Sequence, residues 1–96
     1  EGQDVYITES IPYTTAVLGG EAKIRTLYGM VNCKIPAGTQ SGSKIRIKNK
    51  GIVSMKNPAV HGDEYVTIQI QVPKWTSEKE KRLLRELERV QSKASA

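Results

Sequence analysis

Apolar and polar residues alternate with a period of two along several stretches of the chain, and this pattern constrains the fold more than any other feature. It is clearest in residues 65–72, where Val66, Ile68, Ile70 and Val72 are separated by single polar residues. Successive side chains of a β-strand point to opposite faces, so the pattern predicts half-buried strands. The predicted strands cover residues 4–11, 21–27, 30–35, 44–50 and 65–72.

Turn-forming residues separate these strands. Tyr28-Gly29 is predicted to be a tight turn that joins residues 21–27 and 30–35 into a hairpin. The segments 36–42 and 51–62 are rich in Gly, Pro, Asn and Ser, which favours loops.

Two helices are also predicted. Residues 13–18 follow Pro12 and precede Gly19-Gly20, an arrangement that suits a short helical turn closed by glycine. After Pro73 the period changes from two to nearly four, which indicates an amphipathic helix. The apolar residues on one face of that helix are Leu83, Leu84, Leu87 and Val90.

The order of these elements predicts an α+β, mostly β fold class. Ser77 and Glu80 have the spacing of a capping box at the start of the C-terminal helix, and residues 92–96 are expected to fray. We expect a small β-sandwich-like domain of five or six short strands, with a short helix after the first strand and the C-terminal helix packed at one end. A chain of 96 residues suits a single domain, residues 1–96.

Cys33 is the only cysteine, so the chain cannot form an internal disulfide framework or a cysteine-based zinc site. Its position in an alternating strand predicts a core residue rather than a reactive thiol. A reducing intracellular compartment is therefore expected, which fits cytoplasm, mitochondrion or chloroplast stroma. No stretch approaches the roughly 18 apolar residues that span a bilayer, and no membrane partner is expected.

His61, Asp63 and Glu64 form the only local cluster of residues that could bind a metal or transfer protons. A catalytic zinc needs three protein ligands, and no other histidine is available to help. The cluster is therefore predicted to be a solvated connection. We expect no catalytic residues, no metal and no cofactor, and the chain is predicted not to be an enzyme.

A row of basic side chains on one face of residues 44–50 could contact a polyanion, and the net charge of +5 favours such partners. An alternative function is thus a basic β-barrel that binds nucleic acid. No Tyr or Trp lies within residues 30–60 to stack on bases, so a solvent-facing row is favoured and no nucleic acid is expected. The row consists of Lys44, Arg46, Lys48 and Lys50.

The long-range order of several short motifs resembles the second C-terminal domain of the DnaJ family of heat-shock co-chaperones. The resemblance runs from about residue 4 to residue 88. Its motifs are AVLGGE at residues 16–21, TLYG at 26–29, IPAGTQSG at 35–42, KGI at 50–52, GD at 62–63 and the helix start TSEKE at 76–80.

The resemblance implies a co-chaperone domain that binds unfolded polypeptide clients and helps to deliver them to a DnaK-type chaperone. The chain has no His-Pro-Asp tripeptide and no repeated Cys-x-x-Cys-x-Gly-x-Gly, so we expect no J domain and no zinc-finger region in it. The family dimerises through its extreme C-terminus, which implies a dimeric full-length protein and a mostly monomeric fragment.

The resemblance also implies where a client would bind. The matching strand is residues 21–27, to whose edge an extended peptide would add. The residues proposed for the adjacent groove are Ile24, Leu27, Val31 and Tyr6. A further alternative is a purely structural spacer between the first C-terminal domain and the dimer interface.

Overall fold

The computed structural model describes residues 3–95 and the side chains of residues 3–93. Within these residues the chain forms five strands and two helices, which confirms the predicted α+β, mostly β class. The elements are β1 (Val5–Pro12), α1 (Tyr13–Leu18), β2 (Gly20–Thr26), β3 (Gly29–Ile35), β4 (Lys44–Ile47), β5 (Glu64–Gln71) and α2 (Glu78–Ser95).

The larger sheet has three strands, with β5 in the centre between β1 and β4. β1 runs parallel to β5, and Ile7 is the partner of Val66. β4 runs antiparallel to β5, and Ile45 is the partner of Val66 on the other side. The inward-facing positions of all three strands are thus in register, so the sheet presents one apolar face.

The smaller sheet is the predicted hairpin of β2 and β3. Its two-residue loop is Leu27-Tyr28, one residue earlier than predicted, and Gly29 begins β3 with a φ of 110°. Thr26 stabilises the turn, because its hydroxyl donates to the carbonyl of Gly29 at 2.6 Å and accepts from the N–H of Tyr28 at 3.0 Å.

The core lies between the two sheets. Its buried hydrophobic members in the described part of the chain are Ile11, Ala16, Ile24, Ile35, Val66 and Ile68. Cys33 is partly buried and packs against this cluster, which confirms its prediction as a core residue. Burial, and secondarily the nearby Glu64 carboxyl, raise the pKa of the Cys33 thiol, so the reactive thiolate is disfavoured.

The loop of residues 36–42 is attached to α1. Gly38 donates to the carbonyl of Val17 at 3.1 Å, and Thr39 donates to that of Ala16 at 2.9 Å. Gly19 ends α1 with a φ of 82°, and a Cβ there would lie 3.0 Å from the backbone nitrogen of Ala37. Glycine is therefore required where the helix turns into β2.

The segment 51–62 is folded back onto the start of the chain. Val53 and His61 form an isolated antiparallel bridge, and Ile52 donates to the carbonyl of Gln3 at 2.6 Å. A Cβ on Gly51 or Gly62 would overlap the backbone of Gln3, so both positions need glycine for this close approach.

The C-terminal helix α2 begins at the predicted capping box. The backbone N–H of Ser77 donates to Glu80 Oε1 at 2.7 Å, and the N–H of Glu80 donates to Ser77 Oγ at 3.1 Å. The helix continues to Ser95, through most of the segment that was expected to fray, while Ala96 lies outside the described residues. Among the described residues, neither α1 nor α2 combines the length and the hydrophobicity of a membrane-spanning helix.

The predicted packing of this helix against the end of the sheets is wrong. All four residues of its apolar face are exposed, with exposed fractions from 39% for Leu87 to 63% for Val90. An 18-residue helix is about 27 Å long, and the molecule is correspondingly elongated, with extents of 59 × 27 × 18 Å.

Candidate functional site

A groove lies between β1, one of the two outer strands of the larger sheet, and the end of the hairpin strand β2. Its cavity volume is about 220 Å³. The lining residues are Val5, Ile7, Thr8, Glu9, Arg25, Thr26, Leu27 and Glu64. Because β1 and β2 are each the last strand of their sheet in the described structure, the groove separates two open strand edges.

Strand alternation explains which side chains enter the groove. Val5, Ile7 and Glu9 share one parity in β1 and are each partly buried. Glu64 is the first residue of β5 and the register partner of Val5, so its carboxyl lies beside the same end of β1. The groove therefore combines apolar walls with two carboxyl groups.

Glu64 is the unusual residue of this site. Its exposed fraction is 1%, and its Oε2 atom is buried without a hydrogen-bond partner in the described structure. Burial raises the pKa of the Glu64 carboxyl, and repulsion from Glu9 raises it further. A buried polar atom with no partner is costly, so this oxygen is suited to accept a hydrogen bond from a bound group.

Arg25 and Leu27 form the outer rim of the groove. Both side chains are exposed, and Leu27 has an exposed fraction of 61%. Among the ion pairs of residues 3–93, none joins Arg25 to Glu9 or Glu64. Leu27 offers apolar surface at the hairpin turn, where the preceding Thr26 is fixed by its own hydrogen bonds.

The four residues predicted to bind peptide do not form one surface. Leu27 lines the groove. Ile24 is a core residue with an exposed fraction of 1%, and Val31 packs against the core beside it, so neither offers a free surface. Tyr6 lies on the opposite face of β1 and stacks on Tyr65, with ring centroids 5.4 Å apart.

The sequence interpretation missed most of the groove, including Glu9, Arg25 and Glu64. Glu64 was predicted to belong to a solvated connection, but it is the buried first residue of β5. The signal was available, because Glu64 has the same parity as Val66 and Ile68 in the clearest alternating strand.

His61 and Asp63, the other two residues of the cluster that was considered for metal binding or proton transfer, have separate partners. Asp63 accepts from Arg46 Nε at 2.7 Å and from the N–H of Asn49 at 2.9 Å, and these bonds, the second above all, lower the pKa of its carboxyl. His61 Nδ1 lies 3.2 Å from the hydroxyl of Tyr28, which itself donates to the carbonyl of Gly51. Within the described residues no three potential ligands gather at one point.

The predicted basic row is interrupted in the structure. β4 ends at Ile47, so only Lys44 and Arg46 share its outer face. Arg46 is paired with Asp63. The backbone turns at Asn49, whose φ is 64°, and Lys50 lies 5.8 Å above the ring of Tyr28. The four cations therefore do not form one continuous surface.

A second cavity, of about 400 Å³, lies between α1 and the loop of residues 36–42. Three of its polar side chains already have backbone partners. Thr39 donates to the carbonyl of Pro36, Gln40 donates to that of Gly38, and Ser41 accepts from the N–H of Ile70. This cavity thus lacks the unsatisfied buried group that distinguishes the groove.

Comparison with known proteins assigns the family. The family model described as DnaJ C terminal domain matches residues 1–73. The chain is 45% identical over 91 residues to Chaperone protein DnaJ of Caldicellulosiruptor bescii, which covers 95% of this chain and 23% of the relative. For Chaperone protein DnaJ of Geobacillus kaustophilus the identity is 40% over 90 residues, with 94% and 23% covered.

Chaperone protein DnaJ of an Exiguobacterium species is 41% identical over 92 residues, 94% of this chain and 25% of the relative. The chain thus spans about a quarter of the length of these relatives. Because the family model matches well over half of its residues, the chain belongs to the DnaJ C-terminal domain family.

Proposed function

We propose that this domain is a client-binding module of a co-chaperone, which holds an extended segment of a non-native polypeptide against the open edge of β2. The observation that carries the proposal is the groove beside that edge, because it offers backbone pairing and apolar contact together. Backbone hydrogen bonds recognise any extended chain, which suits a protein that binds many unfolded clients.

The register of the hairpin indicates which backbone groups a client would use. A two-residue loop closes on a hydrogen-bonded pair, here Thr26 and Gly29. Hydrogen-bonded and non-bonded pairs alternate along the ladder, so Lys23 and Arg25 direct their N–H and C=O groups away from β3. An added strand would pair with these groups and place alternate side chains over the groove.

The proposal is tested by blocking one edge of the hairpin at a time. Lys23→Pro removes the outward N–H on β2, whereas Asn32→Pro removes the outward N–H of its register partner on β3. Both changes spare the bonds between the two strands, so they form a matched pair. Binding of an unfolded apolar peptide to the labelled domain is followed by NMR chemical shifts at low and high salt.

We expect the peptide to shift the resonances of β2 and of the groove, with little dependence on salt. Lys23→Pro should weaken binding at least about tenfold, which corresponds to the loss of about 1.4 kcal/mol, while Asn32→Pro should leave it nearly unchanged. Equal effects of the two substitutions would refute strand addition at β2. The absence of any binding would instead favour the structural spacer.

Delivery of clients to a DnaK-type chaperone is part of the same proposal, and it is supported by the relatives named Chaperone protein DnaJ. We also propose that the chain is mostly monomeric alone and dimeric within a longer protein. The nucleic-acid alternative has weaker support, because the basic row is broken and Arg46 is paired. Steep loss of binding with salt, confined to Lys44 and its neighbours, would favour that alternative.

A further inference from the structure

We propose that the groove between β1 and β2 is selective for a basic side chain, Lys or Arg, whose charged end pairs with Glu64. This inference rests on the proposed binding of extended polypeptide and names the client residue that the groove prefers. An added strand would place every second side chain over the groove, so a single basic residue with apolar neighbours is sufficient.

The first argument is the incomplete hydrogen bonding of Glu64. Glu64 is one of the lining residues of the groove, is 1% exposed, and has a buried Oε2 with no partner among the residues the structure describes. Leaving such an oxygen unsatisfied costs more than a hydrogen bond usually gains. A cationic donor recovers that cost, because charge-assisted hydrogen bonds to carboxylates are the strong ones.

The second argument is the chemistry of the walls. Val5 and Ile7 on β1 and Leu27 on the rim line the same groove as Glu64 and give it apolar surface. Lys and Arg carry a polar end on a long apolar stem, and they bury the stem along such surfaces. A short polar side chain would leave the walls uncovered, and a purely apolar one would leave the carboxyl unsatisfied.

The third argument is local charge. The groups that face Glu64 are Glu9 on β1, Arg25 at the rim of β2 and the Cys33 thiol on β3. Although the whole chain carries +5, the groove contains two carboxyl groups and one exposed guanidinium. A bound cation would favour the ionised form of Glu64, against the burial and the Glu9 repulsion that oppose it.

The experiment compares three short extended peptides that differ at one central residue flanked by valines. The central residue is lysine, norleucine or glutamate, so that length and backbone are constant while the end group changes. Affinities are measured by fluorescence anisotropy for the unaltered chain, for Glu64→Gln and for the matched control Glu88→Gln. Glu88 is an exposed residue of α2, far from the groove in the chain.

We expect the unaltered chain to bind the lysine peptide about tenfold more tightly than the norleucine peptide, with the glutamate peptide weakest. Glu64→Gln should abolish this preference, and Glu88→Gln should keep it. In the unaltered chain, lowering the pH should remove the lysine preference as Glu64 becomes protonated. This last measurement needs no variant and therefore does not depend on how Glu64→Gln folds.

Equal affinity for the three peptides would overturn the selectivity while leaving strand addition intact. A lysine preference that survives both Glu64→Gln and low pH would also overturn it, because another acidic group would then be responsible. If none of the peptides bound, both the selectivity and the proposed client-binding function would fail.

Discussion

The carboxyl group of Glu64 is buried, and its Oε2 atom has no hydrogen-bond partner among the described residues. Burial and the Glu9 carboxyl raise its pKa above the ordinary value of 4.5 in the folded chain. In the pH range below that ordinary value the group is neutral in both folded and unfolded states, so no charge has to be buried on folding. As the pH rises through the folded pKa, the folded state must ionise a buried group, and stability is lost.

Replacing this residue should therefore stabilise the domain at neutral pH. We expect Glu64→Gln to raise the free energy of unfolding at pH 7 by about 1 kcal/mol, because glutamine removes the buried charge but still buries a polar group. The gain should disappear at acidic pH, where Glu64 is protonated. Urea unfolding of both chains across this pH range measures the difference. A variant that is less stable at every pH would contradict the expectation.

The difference between the two chains is the informative quantity, because other carboxyl groups act in the opposite direction. The pKa of Asp63 is lowered by its hydrogen bonds with Asn49 and Arg46, and the pKa of Asp4 is lowered chiefly by the N–H of Asp63. Such groups stabilise the folded state above their unfolded pKa values and lose that effect as the pH falls. Subtracting the free energy of unfolding of the variant from that of the unaltered chain at each pH cancels the contribution of these other carboxyl groups.

The residues that line the groove could be predicted only in part from the sequence. Alternation assigns each strand residue to one of two faces, and it correctly placed Cys33 and Val66 inward. The alternation does not indicate how much of the inward face of a strand is covered by a second sheet. Ile24 lies under the covered part and is core, whereas Ile7 lies where the cover ends and lines the groove.

At the level of the elements, local turn and capping residues determine where individual strands and helices begin and end. The predicted strand at residues 44–50 ends at Ile47, because Asn49 adopts a left-handed conformation and its N–H donates to Asp63 at 2.9 Å. The alternation of basic residues continues past that point, although the strand does not. Periodicity alone therefore overestimated the length of β4 and the continuity of its basic face.

The stability of α2 depends on its capping residues more than that of the other elements does, because the apolar face of α2 is exposed. Ser77→Ala removes the hydroxyl that accepts from the N–H of Glu80 and should cost about 1 kcal/mol of helix stability. We expect a measurable loss of helical signal in far-UV circular dichroism. Thr76→Ala, one residue earlier and outside the capping box, is the control and should change little.

For the capping box the contradicting outcome is equal helicity of the two variants. That result would mean that tertiary contacts, and not the cap, hold the first turn of α2. The pKa of the Glu80 carboxyl is lowered, chiefly by its hydrogen bond from the N–H of Ser77. Its contribution should therefore be present above the unfolded pKa and be lost as the pH falls through the folded one.

At the scale of the whole molecule, two small sheets share one core to which α2 adds little. The sequence predicted the two-sheet class because the periods of its strands are strong. It could not predict the position of α2, because an amphipathic pattern identifies an apolar face but not the surface that covers it. The same pattern would arise whether the helix packed on its own sheets or extended away from them.

One substitution in the core and one in α2 test whether the two sheets supply most of the stability and α2 adds little. Ile68 in β5 is fully buried between the sheets, so Ile68→Ala should cost about 2–5 kcal/mol of unfolding free energy. Leu87 is the least exposed residue of the apolar face of α2, yet Leu87→Ala should cost less than about 0.5 kcal/mol. Both values come from urea unfolding followed by circular dichroism. A cost for Leu87→Ala that approaches that of Ile68→Ala would show that α2 packs on the sheets in solution, since a leucine in solvent has no packing to lose.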